Sequence, residues 1–290
     1  MRDGRLIVPH MVVRFSRLKS RPLAHTKSGQ NGEACVAGRW IEANGLQLRY
    51  DFTKGRRAPI VLIHEMGGTL ESWDDVVLPL SEFASVLRYD QRGVGLSEKV
   101  PGPVTVEQLA DDLASLLEAL SIKEPVAVVG NAVGASVAAA FAALHADRVA
   151  ALVMLAPATI MSVERREAAL RRIEAIERHG VRAAFADGSS DVPARFATLR
   201  LATDPMGLCA MWRMLADLDM TGLLPRIACP TLVAHATRDT SRSEQDIARV
   251  AGMIPGARMT AINTTHYMAM ETPRLVCRTV ISFLEECGFQ

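Results

Sequence analysis

Val126-Ala127-Val128-Val129-Gly130-Asn131-Ala132-Val133-Gly134-Ala135 is the stretch that decides the fold of this chain. A short β-rich apolar run passes directly into two glycines four residues apart, and then into a small-residue helix carrying Ala135, Ala139 and Ala143 at helical spacing. This pattern predicts a strand that turns sharply into a helix. The central residue, Ala132, takes a strained backbone conformation there, and small neighbours let the turn pack tightly. Gly130 and Gly134 meet that requirement, and Ser136, one helical turn farther on, is expected to pack inside.

Working outward, short apolar runs alternate with longer helical stretches from Gly38 onward, the signature of parallel strands joined by crossover helices. The class is therefore α/β, with a mostly parallel twisted sheet flanked by helices. Residues 39–42 and 46–52 read as an opening hairpin around Asn44-Gly45. Further strands are predicted at 60–64, 85–89, 126–129, 151–155, 231–234 and 258–262, the central ones apolar on both faces. A helix over 106–120 has Thr105 as its N-cap and Leu109, Leu113, Leu116 and Leu117 on its buried face. Between Thr159 and Gly222 the rhythm breaks into a charged helix over about 163–177, a Gly/Ser/Asp/Pro-rich turn and a further helical stretch through Met214. Residues 159–221 are thus expected to form an inserted helical cap on a core made of 37–158 and 222–290, with 1–36 a basic, disordered extension. The cap carries equal numbers of basic and acidic residues, which predicts no general field for steering an anion.

Two segments downstream bear residues suited to acid-base chemistry. The strand around Pro230 to Ala234 leads to Asp239, and the last strand leads to His266. An imidazole titrates near neutrality, and a carboxylate beside it fixes its tautomer and stabilises its charged form. Upstream, Ile60 to Ile63 ends in His64-Glu65-Met66-Gly67-Gly68, a glycine-containing loop able to offer a backbone N–H. Met66 and Val133 are the predicted oxyanion donors, and His64 is predicted to organise the loop by hydrogen bonding. Glu65, His64 and Trp212 are candidate pocket residues. Trp212 and Arg213, or Arg200, are candidates to contact a carboxylated substrate. Ser136 and Cys209 are considered as alternative nucleophiles and read as structural.

Taken together, these residues make the chain from about Gly38 to its C-terminus resemble the α/β-hydrolase superfamily, whose serine, acid and histidine follow in that order. Arg88 to Ser97, with Asp90, Arg92, Gly93, Gly95 and Ser97, resembles the family's D-x-R-G-x-G-x-S loop, in which Arg92 is expected to bond nearby backbone. Ala202 to Gly207, Asp217 to Asp219 and Leu224 to Ile227 are similar to segments of the 3-oxoadipate enol-lactone hydrolases, with a cap that looks shorter near 187–191. The resemblance implies an α/β-hydrolase fold acting on a small ester, lactone or related substrate, with Ala132, Asp239 and His266 at the three triad positions. Two residues depart from the family pattern. Ala132 occupies the nucleophile position and cannot attack a carbonyl, and Glu65 stands where glycine is usual.

Three readings follow. In one, His266 and Asp239 form a base dyad that needs no covalent step and acts on a reactive ester, enol-lactone or enamine; alanine at this position also occurs in proteins that resemble aminoacrylate hydrolases. In the second the chain is a catalytically silent binding protein. In the third it is a serine esterase or lactonase whose nucleophile was replaced.

Composition narrows the partners. A formal net charge of +1 offers nothing to attract nucleic acid or an anionic membrane, so a small-molecule substrate is expected, with no cofactor and no metal. No apolar run is long enough to span a bilayer. The 5 cysteines lack the spacing of a metal site or disulfide framework and read as free thiols in a reducing cytoplasm. Oligomeric state is not encoded in any pattern found.

Overall fold

Glycine contacts at the strand-to-helix turn explain how the sheet and its first covering helix come so close. In the computed structural model, which describes residues 38–185 and 192–290, a Cβ on Gly134 would lie 2.2 Å from the Ile63 carbonyl oxygen. One on Gly130 would lie 2.2 Å from the Gly134 carbonyl oxygen. Neither site tolerates a side chain without moving backbone.

In chain order the elements are β1 (Arg39–Ala43), β2 (Leu46–Thr53), β3 (Ile60–Ile63), α1 (Asp74–Ser81), β4 (Val86–Tyr89), α2 (Val106–Ala119), β5 (Val126–Asn131), α3 (Val133–Leu144) and β6 (Val149–Leu155). They continue with α4 (Val163–His179), α5 (Ala194–Leu201), α6 (Pro205–Ala216), β7 (Thr231–Ala236), α7 (Glu244–Met253), β8 (Arg258–Ile262), α8 (Met268–Glu271) and α9 (Pro273–Glu286). The eight strands form one sheet in the order β1-β2-β4-β3-β5-β6-β7-β8. β1 and β2 pair antiparallel, as do β2 and β4, and every later pairing is parallel. The opening hairpin turns at Asn44 (φ 49°) and Gly45 (φ 75°), the left-handed pair a two-residue turn of this twist requires.

Strand order reverses at β3, which has β4 on one side and β5 on the other. Loops leaving the carboxyl ends of β3 and β5 therefore open a crevice between them, the place where sheets of this kind bind ligands. Successive residues of the central strands feed two cores. Val61, Ile63, Val126 and Val128 face the side covered by α2 and α3, and Ile60, Leu62, Ala127 and Val129 face the side covered by α1 and α9. All eight are buried, which is why these strands read as continuous apolar runs.

The helical insertion between β6 and β7 differs from expectation in one respect. The predicted single stretch is two helices, α5 and α6, because Asp204 breaks it: its carboxylate caps α6 by accepting from the Gly207 amide at 2.7 Å, and Pro205 follows at the first helical position. α4 and α6 share a small core of Ile173, Ile176, Leu208 and Cys209. The described residues form one compact unit that includes these inserted helices. The expected basic extension and the short cap segment near 187–191 lie outside the described residues.

The Asp90 to Ser97 loop is structural. Asp90 is fully buried and accepts from the Leu70 and Leu96 amides at 2.8 and 2.7 Å and from Arg49 at 3.2 Å. A correction concerns Arg92. Rather than bonding backbone, its guanidinium forms a two-pronged ion pair with the buried Asp112 of α2, at 2.8 and 2.5 Å. Both partners are removed from water, so Asp112→Ala leaves an uncompensated buried charge. We expect it to cost about 3–5 kcal/mol of stability, measured by urea denaturation.

Candidate functional site

Ala132 sits at the point where β5 ends and α3 begins, with φ 51° and ψ −114°. A non-glycine residue pays roughly 1–3 kcal/mol for such a conformation, and it persists because its surroundings dictate it. The Ala132 amide donates to the Leu155 carbonyl of β6 at 2.9 Å, while its own carbonyl accepts from the Ala135 amide at 3.1 Å. Strand, turn and helix are thereby locked. Ser136 is buried and donates to the Ala158 carbonyl, a packing role.

Asp239 and His266 arrive on the loops after β7 and β8, adjacent parallel strands, and meet at 2.7 Å between Oδ2 and Nδ1. The Asp239 side chain is fully buried, and its other oxygen accepts from the amides of Ser241 and Arg242 at 2.6 and 3.2 Å. Burial pushes its carboxyl group upward in pKa. The hydrogen bond and charge of His266 and the two amides outweigh that and hold it below the usual aspartate value. An ionised Asp239 can only accept, so Nδ1 of His266 carries a proton, and in the neutral imidazole the lone pair lies on Nε2. Because the carboxyl pKa is lowered by folding, Asp239 stabilises the protein above the ordinary aspartate range, and this is lost as pH falls through the lowered value. Urea midpoints measured from pH 7 down to pH 3 should therefore fall less steeply in Asp239→Asn than in the native protein.

The His266 loop is tied back to the turn after β5. Asn131 Nδ2 donates to the His266 carbonyl at 3.2 Å, and Tyr267 meets the His266 ring edge-on with centroids 5.7 Å apart. Phe196 of α5 stacks on Tyr267 at 4.4 Å, so the insertion supports the loop as well.

A cavity of about 520 Å³ brings these parts together: Ala132, Val133, Met66, Glu65, Trp212 and His266 all line it. Among the described residues, neither the Met66 nor the Val133 amide is spent on a loop or turn carbonyl. Glu65 is buried, and its Oε1 accepts from Ser72 Oγ at 2.7 Å; Gly68 leaves the room that carboxylate occupies. Trp212 presents an indole N–H that is buried without a hydrogen-bond partner among the described residues.

His64 does not line this cavity, which corrects its place among the pocket residues. It is buried, with Nε2 accepting from the Gln91 amide at 3.2 Å, which leaves Nδ1 to donate to the Glu65 carbonyl at 2.8 Å. Both ring nitrogens are consumed in shaping the loop that carries Glu65 and Met66. Arg213 also lies elsewhere, paired with Glu177 at 2.5 Å on the rim of a separate surface groove of about 1070 Å³. Cys209 is buried against Ile173, and burial pushes its thiol pKa upward, so it is a poor nucleophile. The other described cysteines are free thiols. Arg200 does line the cavity, together with Arg165, Arg172, Arg238 and Arg242, which sequence reasoning did not single out. No helix among the described residues is long and apolar enough to cross a membrane.

Comparison with known proteins agrees with this architecture. Residues 58–214 match the family model described as the alpha/beta hydrolase fold. A 2-hydroxy-6-oxo-6-(2'-aminophenyl)hexa-2,4-dienoic acid hydrolase of Metapseudomonas resinovorans is 27% identical over 135 residues, 46% of this chain and 46% of that protein. The chain spans less than half the length of the first curated relatives it matches. Among solved structures, the enol-lactonase of Burkholderia xenovorans LB400 aligns with a TM-score of 0.78 and 29% identity, covering 85% of this chain and 100% of that one. A thermophilic esterase of Thermogutta terrifontis aligns with a TM-score of 0.77 and 26% identity, covering 87% and 99%. The sheet order, the turn at Ala132 and the matched family model lead to one conclusion: this chain belongs to the α/β-hydrolase family.

Proposed function

We propose that this protein hydrolyses a small reactive ester, enol-lactone or enamine by a base mechanism with no covalent enzyme intermediate. Ala132 stands at the nucleophile position of the elbow. The observation that carries the reading is the His266–Asp239 pair, its carboxylate fully buried and held by two amides, opening on the same cavity as Ala132, Met66 and Val133.

For an ester or lactone the steps follow from the atoms present. Nε2 of His266 takes a proton from water as the water oxygen bonds to the substrate carbonyl carbon. The resulting oxyanion is held by the Met66 and Val133 amides, and Asp239 stabilises the imidazolium through Nδ1–H. The tetrahedral carbon then expels the alkoxide or enolate, which takes the proton from Nε2. Such substrates have low intrinsic barriers, so the strongest feature of serine catalysis is dispensable. The likeness to an enol-lactonase and an esterase supports the same substrate class.

Intact-mass spectrometry during turnover of an enol-lactone tests the proposal. We expect product formation with an unmodified protein mass at every time point. An acyl adduct would overturn the non-covalent mechanism, and absence of turnover on all three substrate classes would overturn the activity.

A further inference from the structure

The cavity wall is more basic than the balanced composition of the insertion predicts. Five arginines line it, and Glu65 is the acid that lines it with them. Two of the five have their charge matched close by: Arg165 pairs with Asp246 at 2.7 Å and Arg238 with Glu271 at 2.7 Å. Arg242 is different. It is only 9% exposed, and among the described residues it forms no ion pair. Its Nη1 donates to the Ser241 carbonyl at 3.1 Å, and its Nε is buried without a partner.

The nearest acids are already committed. Asp239 is held by His266 and by the Ser241 and Arg242 amides, and Asp246 by Arg165 together with the Ser243 amide and hydroxyl. Burial first, and then the positive charge of Arg165, depress the Arg242 pKa against the opposing charges of Asp239 and Asp246, so these two carboxylates do not fully offset its burial. Arginine nonetheless stays protonated, and its planar fork suits a carboxylate.

We infer that Arg242, flanked by Arg165, is the anchor for a carboxylate on a substrate bound in the cavity that Ala132 and His266 also line. The inference rests on the hydrolase reading above and narrows its substrate class to carboxylated esters and lactones. The chain places the anchor economically: the Arg242 amide holds the same Asp239 that orients His266, so substrate anchor and base share one loop.

Calorimetric titration of glutarate, together with kcat/KM for mono-p-nitrophenyl glutarate and for p-nitrophenyl pentanoate, which replaces the carboxylate by a methyl group, tests this on the native protein, Arg242→Met and Arg242→Lys. Arg242→Met should weaken glutarate binding by about 10- to 100-fold and reduce the preference for mono-p-nitrophenyl glutarate by a similar factor. The ratio of the two kcat/KM values, rather than either alone, is the readout, and Arg242→Lys should recover part of the loss. Native protein that binds no glutarate, or folded Arg242→Met that binds it unchanged, would overturn the assignment. If Arg242→Met does not fold, Arg242→Lys decides, since loss of the fork alone must still weaken glutarate. Inorganic phosphate that binds through Arg242 as tightly as glutarate would overturn the carboxylate assignment in favour of phosphate esters. Failure of the base mechanism is a separate outcome: no ester is turned over, while the glutarate titrations still judge Arg242.

Discussion

His266→Ala lowers kcat on an enol-lactone or carboxylated ester by about 10²- to 10⁴-fold, the range a positioned general base contributes. The fold survives, because the Asp239 carboxylate keeps its two amide donors from Ser241 and Arg242 when the imidazole is removed. Circular dichroism should stay close to native, while the urea midpoint falls somewhat because the buried carboxylate loses its imidazole partner. Imidazole added to the solution should restore part of the rate, since the vacated space opens on the cavity lined by Ala132 and Met66. A kcat within threefold of native would remove His266 from the chemistry, and with it the base mechanism. KM should move little, because the imidazole acts on water rather than gripping the substrate.

Ala132→Ser is the complementary gain of function. The turn already holds residue 132 at φ 51° and ψ −114°, and its strain is borne by hydrogen bonds to β6 and by the glycine contacts beneath α3. A serine there needs no backbone change. Its hydroxyl would enter the cavity that His266 lines, with the Val133 amide next in the chain. We expect hydrolysis of p-nitrophenyl acetate to rise by at least about 10²-fold, with a burst of p-nitrophenol and labelling by a fluorophosphonate, because the covalent route adds to the base and amides already present. A folded variant that shows neither burst nor label would mean that His266 is not placed to activate residue 132. Doubling that variant with His266→Ala should abolish labelling.

Much of this was legible locally. The strand-turn-helix at 126–135 needs only residues adjacent in the chain, since glycine at two positions and alanine along one helix face specify a close approach whatever lies beyond. The hairpin at Asn44-Gly45, the Thr105 cap on α2 and the apolar central strands are likewise short-range signals. The Asp239–His266 pair was legible through the resemblance, as two residues following two strands in a known order. Helix α6 was blurred into α5 because both are apolar in pattern, although Asp204-Pro205 is a start signal that could have separated them.

By itself the sequence determined the α/β class, the sharp strand-to-helix turn at Ala132, and the order in which Asp239 and His266 follow the last two strands. Backbone preference and apolar periodicity are properties of neighbours in the chain, so they can be read there. Only the tertiary structure decided which charges were matched. Arg92 found Asp112, His64 spent both ring nitrogens on its loop, Arg213 turned to Glu177, and Asn131 reached across 135 positions to the His266 carbonyl. The same packing left Arg242 buried on the cavity wall with no carboxylate in ion-pair contact among the described residues. A charged side chain is defined by what lies within a few ångströms of it, and those neighbours come from segments far apart in sequence that meet only when the sheet has closed.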